Sequence, residues 1–325
     1  MSSSIRNLFL SAVATCCTVV VGTTPGYAAQ EWPRHPITLI VPYTAGGPVD
    51  TIARVLSPAL EKQLGQTVVV ENKPGASGLI GINSTLKAKP DGYTFGFGVL
   101  GIFAIAPHLN KLPFGLDEIG YVSLLSISPH VFAVNPAAGN HSLKELIENA
   151  KKHPNAMNFG SPGTGSSTHL DGLLLNKAAE INLTHIPYKG GNNVLNALAS
   201  NEIQMTASEI SAVLALKDSL KIVAVMGDKR SPVLPDVPTT TELGYPEVTA
   251  SSIYGIITPK ATPVAIIDQF RHALSEALKD KTVADFFARQ GQVAQTSSSE
   301  AYKTMMDTER AKWKRIIDEN KIVVK

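Results

Sequence analysis

Apolar runs and helical stripes alternate along most of the chain. Residues 37–41 read Ile-Thr-Leu-Ile-Val and end at Pro42, the pattern of a buried parallel strand. After the loop Thr44-Ala45-Gly46-Gly47-Pro48, apolar side chains at Ile52, Val55, Leu56, Ala59, Leu60 and Leu64 share one helical stripe that Gly65 stops. Pro58 lies inside that stripe and predicts a kink. A strand is expected at 67–71, a helix at about 78–87, a turn at 89–93 and a strand at 94–99. The alternation returns later, with strands at 157–160, 183–187, 205–207 and 220–226 and helices at about 168–179 and 193–199. Strands and helices joined by short loops imply parallel sheets with right-handed crossovers, and two such sets imply two α/β lobes.

Two apolar stretches, 121–135 and 251–258, sit between the sets, and each suits a long strand passing from one lobe to the other. The remainder, 263–325, is largely amphipathic helix, with Ile266, Ile267, Phe270, Leu274 and Leu278 on one stripe and Met305, Met306, Trp313 and Ile316 on another. It is expected to pack on the first lobe. The organisation is therefore a leader at 1–28, a first lobe from 29–130 and 253–325, and a second lobe at 131–252.

The leader follows from its own pattern. Arg6 precedes an uncharged, mostly apolar stretch at 8–21, and Gly26-Tyr27-Ala28 offers small residues at the −3 and −1 positions of a secretory cleavage site. The stretch is shorter than the ~20 apolar residues of a membrane span. Export is the expectation. Both cysteines, Cys16 and Cys17, fall in the leader, so the chain beyond it has no disulfide, thiol nucleophile or cysteine metal site. The formal net charge of +2 includes Arg6, which leaves +1 without the leader and no basic stripe for gripping nucleic acid.

Enzyme signatures are missing. The sequence has no phosphate-binding Gly-x-x-x-x-Gly-Lys, no Gly-x-Ser-x-Gly elbow and no His-Glu-x-x-His pair, and Gly163-Thr164-Gly165 lacks the third glycine of a dinucleotide fingerprint. No cofactor and no metal are expected. Two Gly-rich loops stand out instead. Residues 42–50, Pro-Tyr-Thr-Ala-Gly-Gly-Pro-Val-Asp, and 161–169, Ser-Pro-Gly-Thr-Gly-Ser-Ser-Thr-His, each lie between a strand and the start of a helix. Glycine lets backbone N–H groups approach a ligand, and a helix start leaves donors and a favourable dipole for an anion. Facing each other, two such loops clamp a carboxylate without Lys or Arg. Thr44, Ser161, Thr164 and Ser166 are candidate donors, with local turn bonding as the alternative. Asp50 and Arg54, four residues apart, form a structural pair, and His169 orients its loop.

Four segments carry a resemblance: 42–54, 70–76 together with 90–94, 160–170, and His185-Ile186-Pro187-Tyr188-Lys189-Gly190. In this order and spacing the chain resembles the Bug family of periplasmic receptors, the solute-binding proteins of the tripartite tricarboxylate transporter system. The resemblance implies an α/β fold of the two-lobed periplasmic-binding-protein type (type II, Venus flytrap), each lobe a mostly parallel sheet flanked by helices. It implies a small carboxylate bound between the two loops and delivered to integral membrane subunits of the transporter, without catalysis. The ligand-binding candidates are Tyr43, Thr44, Ala45, Gly46, Gly47, Asn83, Ser161, Gly163, Thr164, Gly165, Ser166, His169, Tyr188 and Ser208, with Phe103 a weaker wall candidate. One departure matters. Members often carry an acid just after the strand that here reads Gln204-Met205-Thr206-Ala207, where this chain has Ser208 and places Glu209 one residue on. An acid facing the cleft suits an ammonium group, so its displacement favours a dicarboxylate or an aromatic carboxylate over an amino acid. The rival classes are a periplasmic serine hydrolase using Ser161 and His169, and a sensor presenting its closed form to a signalling receptor. A monomer is expected.

Overall fold

The computed structural model describes residues 32–323. The leader, with its cleavage site and both cysteines, lies outside the described residues. Of the described residues, those from Pro33 onward make one compact unit. Its strands and helices run β1 (Ile37–Val41), α1 (Pro48–Leu64), β2 (Val68–Asn72), α2 (Leu79–Leu86), β3 (Thr94–Val99), then a π-helical turn (Gly101–Ile105) leading into α3 (Ala106–Leu109). The long strand β4 (Ile119–Val134) is followed by α4 (Leu143–Lys152), β5 (Asn158–Ser161), α5 (Ser167–Ala179), β6 (Thr184–Pro187), α6 (Gly191–Ala199), β7 (Met205–Glu209), α7 (Ile210–Leu214) and β8 (Lys221–Val225). A second long strand, β9 (Ser251–Pro259), leads to α8 (Val264–Ala277), α9 (Lys281–Arg289), β10 (Val293–Ala294) and α10 (Ser299–Glu319).

The strands order as β2-β1-β3-β9-β4-β7-β5-β6, with β8 and β10 also pairing with β4. Strands β2, β1 and β3 are parallel, as are β6, β5 and β7, while β4 and β9 run antiparallel to their neighbours. β4 belongs to both halves. It pairs with β9 from Ile119 to Pro129 and with β7 from His130 to Val134, so the sheet partner changes between Pro129 and His130. Both apolar stretches expected to pass between lobes are therefore long strands that meet at this change of partner.

Local chemistry explains most elements. β1 buries Ile37, Leu39, Ile40 and Val41, and α1 turns Ile52, Leu56 and Leu60 inward. Pro48 begins α1, where its missing N–H has no cost, and Gly65 closes it at φ +66°. The helix stays continuous through Pro58. Ser142 caps α4 by accepting the Glu145 N–H, and α4 buries Leu143, Leu146, Ile147 and Ala150; this helix is not among the elements expected above. The carboxy-terminal helices pack on the first sheet, where Phe270 stacks on Phe95 with ring centroids 3.8 Å apart. α10 also reaches the second half, through Lys177 of α5 and Glu319. Tyr302 of α10 is fully buried over Gly98 and Gly255, a registered pair of β3 and β9. Phe103 is fully buried edge-on to Tyr121 and belongs to the core, not to a ligand wall, because the π-helical turn rotates it inward.

Candidate functional site

Each Gly-rich loop leaves the carboxyl end of a parallel strand, the edge where open α/β sheets bind ligands. In the first, Thr44, Ala45 and Gly46 are exposed between β1 and α1, and Gly46 takes φ +82°. Asp50, buried in the first turn of α1, holds the loop from beneath. Its Oδ2 accepts the Gly46 N–H at 2.8 Å and Arg54 Nε at 2.9 Å, and its Oδ1 accepts Asn72 Nδ2, which also donates to the Tyr43 carbonyl. The Arg54 guanidinium, aided by the Gly46 and Asn72 donors, lowers the Asp50 carboxyl to about 2 against the opposing effect of burial. The structural pairing expected of Asp50 and Arg54 is what the structure holds. Val49 and Asp50 supply first-turn N–H groups that have no earlier helical carbonyl to meet.

The second loop is tied mainly to itself. Ser161 is fully buried, its Oγ 2.9 Å from the Gly163 carbonyl and 2.7 Å from His185 Nε2. Ser166 donates to the same carbonyl at 2.7 Å and caps α5 by accepting the His169 N–H. His169 Nδ1 accepts the Gly165 N–H at 3.1 Å, so His169 does orient its loop. The His169 and His185 rings stack at 3.8 Å, and burial lowers both imidazoles to about 4, which keeps the pair neutral at pH 7. The Ser161–His169 pair of a hydrolase is not formed. The imidazole beside the Ser161 hydroxyl belongs to His185, because His169 is turned toward Gly165. Thr44 and Thr164 are the candidate hydroxyls left exposed, while local bonding engages Ser161 and Ser166.

The remaining candidates divide. Tyr43 is partly buried, and burial raises its phenol to about 12. Asn83 on α2 has a buried Oδ1 with no partner among the described residues. Tyr188 directs its hydroxyl to Glu202 at 2.8 Å. Ser208 pairs in register with Val131.

A further group comes together where the two halves meet. Tyr254 of β9 is registered with Val99 at the carboxyl end of β3, and Glu209 lies at the carboxyl end of β7, beyond the level of Ser161 in β5. Glu209 Oε1 accepts Ser252 Oγ at 2.7 Å and Tyr254 Oη at 2.6 Å. Ser252 also meets His130 Nε2 at 3.0 Å, and His130 Nδ1 meets Asp171 Oδ2 at 2.6 Å. His130 and Asp171 are buried. With the Ser252 proton directed to Glu209, the Ser252 oxygen is left to accept from His130 Nε2. Burial opposes a charge on His130, but the charge and hydrogen bond of Asp171, with Glu209 nearby, outweigh it and raise the His130 pKa. Histidines 130 and 185 escape sequence reasoning because their partners are distant in sequence.

Two sets of strands sharing the long strand β4, with Gly-rich loops at the carboxyl ends of both, define a two-lobed periplasmic-binding-protein fold of solute-binding type. Comparison with known proteins gives the family. Residues 52–322 match the tripartite tricarboxylate transporter family receptor, TctC, and the chain belongs to that family. It is 33% identical to the Bordetella pertussis protein BugT over 318 residues, covering 95% of this chain and 97% of BugT. The periplasmic binding protein BugD superposes with a TM-score of 0.76 at 30% identity, over 90% of this chain and 99% of BugD. MatC from Rhodopseudomonas palustris, solved with bound malate, superposes with a TM-score of 0.75 at 28% identity, over 88% of this chain and 100% of MatC. A second R. palustris protein, solved with adipate, reaches 0.80 at 26% identity, over 90% of this chain and 99% of its own. This is a solute-binding receptor of TctC type, not an enzyme. Among the described residues no helix is long and apolar enough to cross a membrane.

Proposed function

We propose that the receptor works in the periplasm, captures a small carboxylate between loops 42–48 and 161–166, and delivers it to integral membrane subunits of a tripartite tricarboxylate-type transporter. The lobes are residues 29–130 with 253–325, and residues 131–252. The cargo is a dicarboxylate or an aromatic carboxylate. The observation that carries this is the pair of helix starts, α1 and α5, each at the carboxyl end of a parallel strand with first-turn N–H groups beside an exposed threonine. Hydrogen bonds inside each loop hold those donors in place before ligand arrives, which lowers the ordering cost of binding. The malate and adipate bound by two relatives are of the same chemical class.

Native mass spectrometry of protein recovered from the periplasm tests this. A co-purified carboxylate that raises the melting temperature of the stripped protein when added back is the expected result. A receptor that comes without one, and that no carboxylate stabilises, would refute the clamp.

A further inference from the structure

We propose that Glu209 reads a hydrogen-bond donor on the ligand, so that the cargo is a carboxylate carrying its own hydroxyl or protonated amine rather than a donor-free acid. The proposal rests on the carboxylate clamp just described and narrows its substrate class.

Three observations carry it. The first is position. Glu209 extends from the carboxyl end of β7 on the side of the second Gly-rich loop, and the Tyr254 that it holds is registered with Val99 at the carboxyl end of β3. The second is orientation. Oε1 is saturated by Ser252 and Tyr254, whereas Oε2 accepts no hydrogen bond from any described residue and is not sealed from solvent. A carboxylate oxygen accepts and never donates, so Oε2 presents pure acceptor capacity beside the clamp.

The third is charge. His130 is shared between Asp171, directly, and Glu209, through Ser252. One histidine is thus set against two acidic side chains. A second bare carboxylate from the ligand would add repulsion at Oε2, whereas a hydroxyl or ammonium would satisfy it. An acceptor left facing a donor-free ligand is desolvated without replacement, the situation that lets polar sites discriminate strongly. Sequence position alone had weighed against such a ligand, since the acid stands one residue beyond its usual place. The contacts with β9 return the carboxylate to the junction between the halves.

Calorimetry with matched triples tests the proposal: succinate, malate and aspartate; glutarate, 2-hydroxyglutarate and glutamate; benzoate, mandelate and phenylglycine. In at least one triple the hydroxyl or ammonium member should bind about tenfold or more tighter than the donor-free member. Glu209→Gln keeps an acceptor for Ser252 and Tyr254; it should reduce the preference for the ammonium member to within about threefold and spare the donor-free member. A melting temperature for the variant confirms folding. Donor-free members binding as tightly as the others in every triple would overturn the proposal, and that comparison needs only the wild type. A preference that survives Glu209→Gln, or a variant that loses all three members equally, would overturn it too. Should no member of any triple bind, the carboxylate clamp fails rather than this refinement alone.

Discussion

Gly255 of β9 lies so close to Tyr302 of α10 that a Cβ on the glycine would sit 2.3 Å from the phenol ring. Tyr302 is fully buried there, edge-on to Tyr121 with centroids 5.0 Å apart, so the ring has nowhere to retreat. Gly255→Ala should therefore destabilise the receptor by about 1–3 kcal/mol through overpacking. Thermal melts should show a loss of several degrees. A variant as stable as the wild type would mean that α10 is not seated as described.

The buried His130–Asp171 pair makes stability depend on pH. The folded His130 pKa is raised, so its contribution is complete below the unfolded value of about 6.5 and is lost as pH rises through the higher folded value. Asp171→Asn removes the acidic partner of the buried His130 and should cost about 3–5 kcal/mol where the pair is formed. Urea midpoints at pH 6 and pH 9 should converge in the variant relative to the wild type. Parallel midpoints in both proteins would place the alkaline dependence elsewhere.

Asp50 acts at the opposite end of the scale. Its folded value of about 2 lies below the usual ~3.9, so the stabilisation is present above that figure and lost as pH falls through 4 toward 2. Arg54 is half exposed, so screening limits the contribution to about 1–2 kcal/mol. Asp50→Asn should lower the urea midpoint at pH 7 and leave a shallower acid limb between pH 4 and pH 2. It should also weaken ligand binding, because the Gly46 N–H loses its charged acceptor.

The proposed ligand contact with loops on both lobes should favour a closed form and stabilise the fold, by about 2.7 kcal/mol at a hundredfold excess over the dissociation constant. The strand stretches near 121–135 and 251–258 should absorb the change. Gly46→Val and Gly163→Val should abolish the ligand-induced rise in melting temperature, since both glycines take positive φ, at +82° and +147°. The space around each is open, so backbone strain and blocked ligand approach, not a clash within the protein, are the cause. Small-angle scattering reports compaction and thermal melts report stabilisation. A cognate ligand that produces neither in the wild type would refute the closure.

What the sequence alone determined is local. Strand and helix periods are written in neighbouring residues, so the alternating elements, the two long strands β4 and β9 and both Gly-rich loops were legible in the sequence. The Asp50–Arg54 pair was legible for the same reason, because four residues is one helical turn. Tertiary structure alone decided which side chains meet across long separations. Ser161 meets His185, 24 residues away, although His169 stands nearer in sequence. His130 finds Asp171 and Ser252 at separations of 41 and 122 residues, and Glu209 finds Tyr254 at 45. The contacts of His130 with Ser252 and of Glu209 with Tyr254 depend on the register of β4 with β7 and β9, which one residue of slip would reverse. A chain segment encodes its own period, but its partners are chosen by the packing of the whole fold.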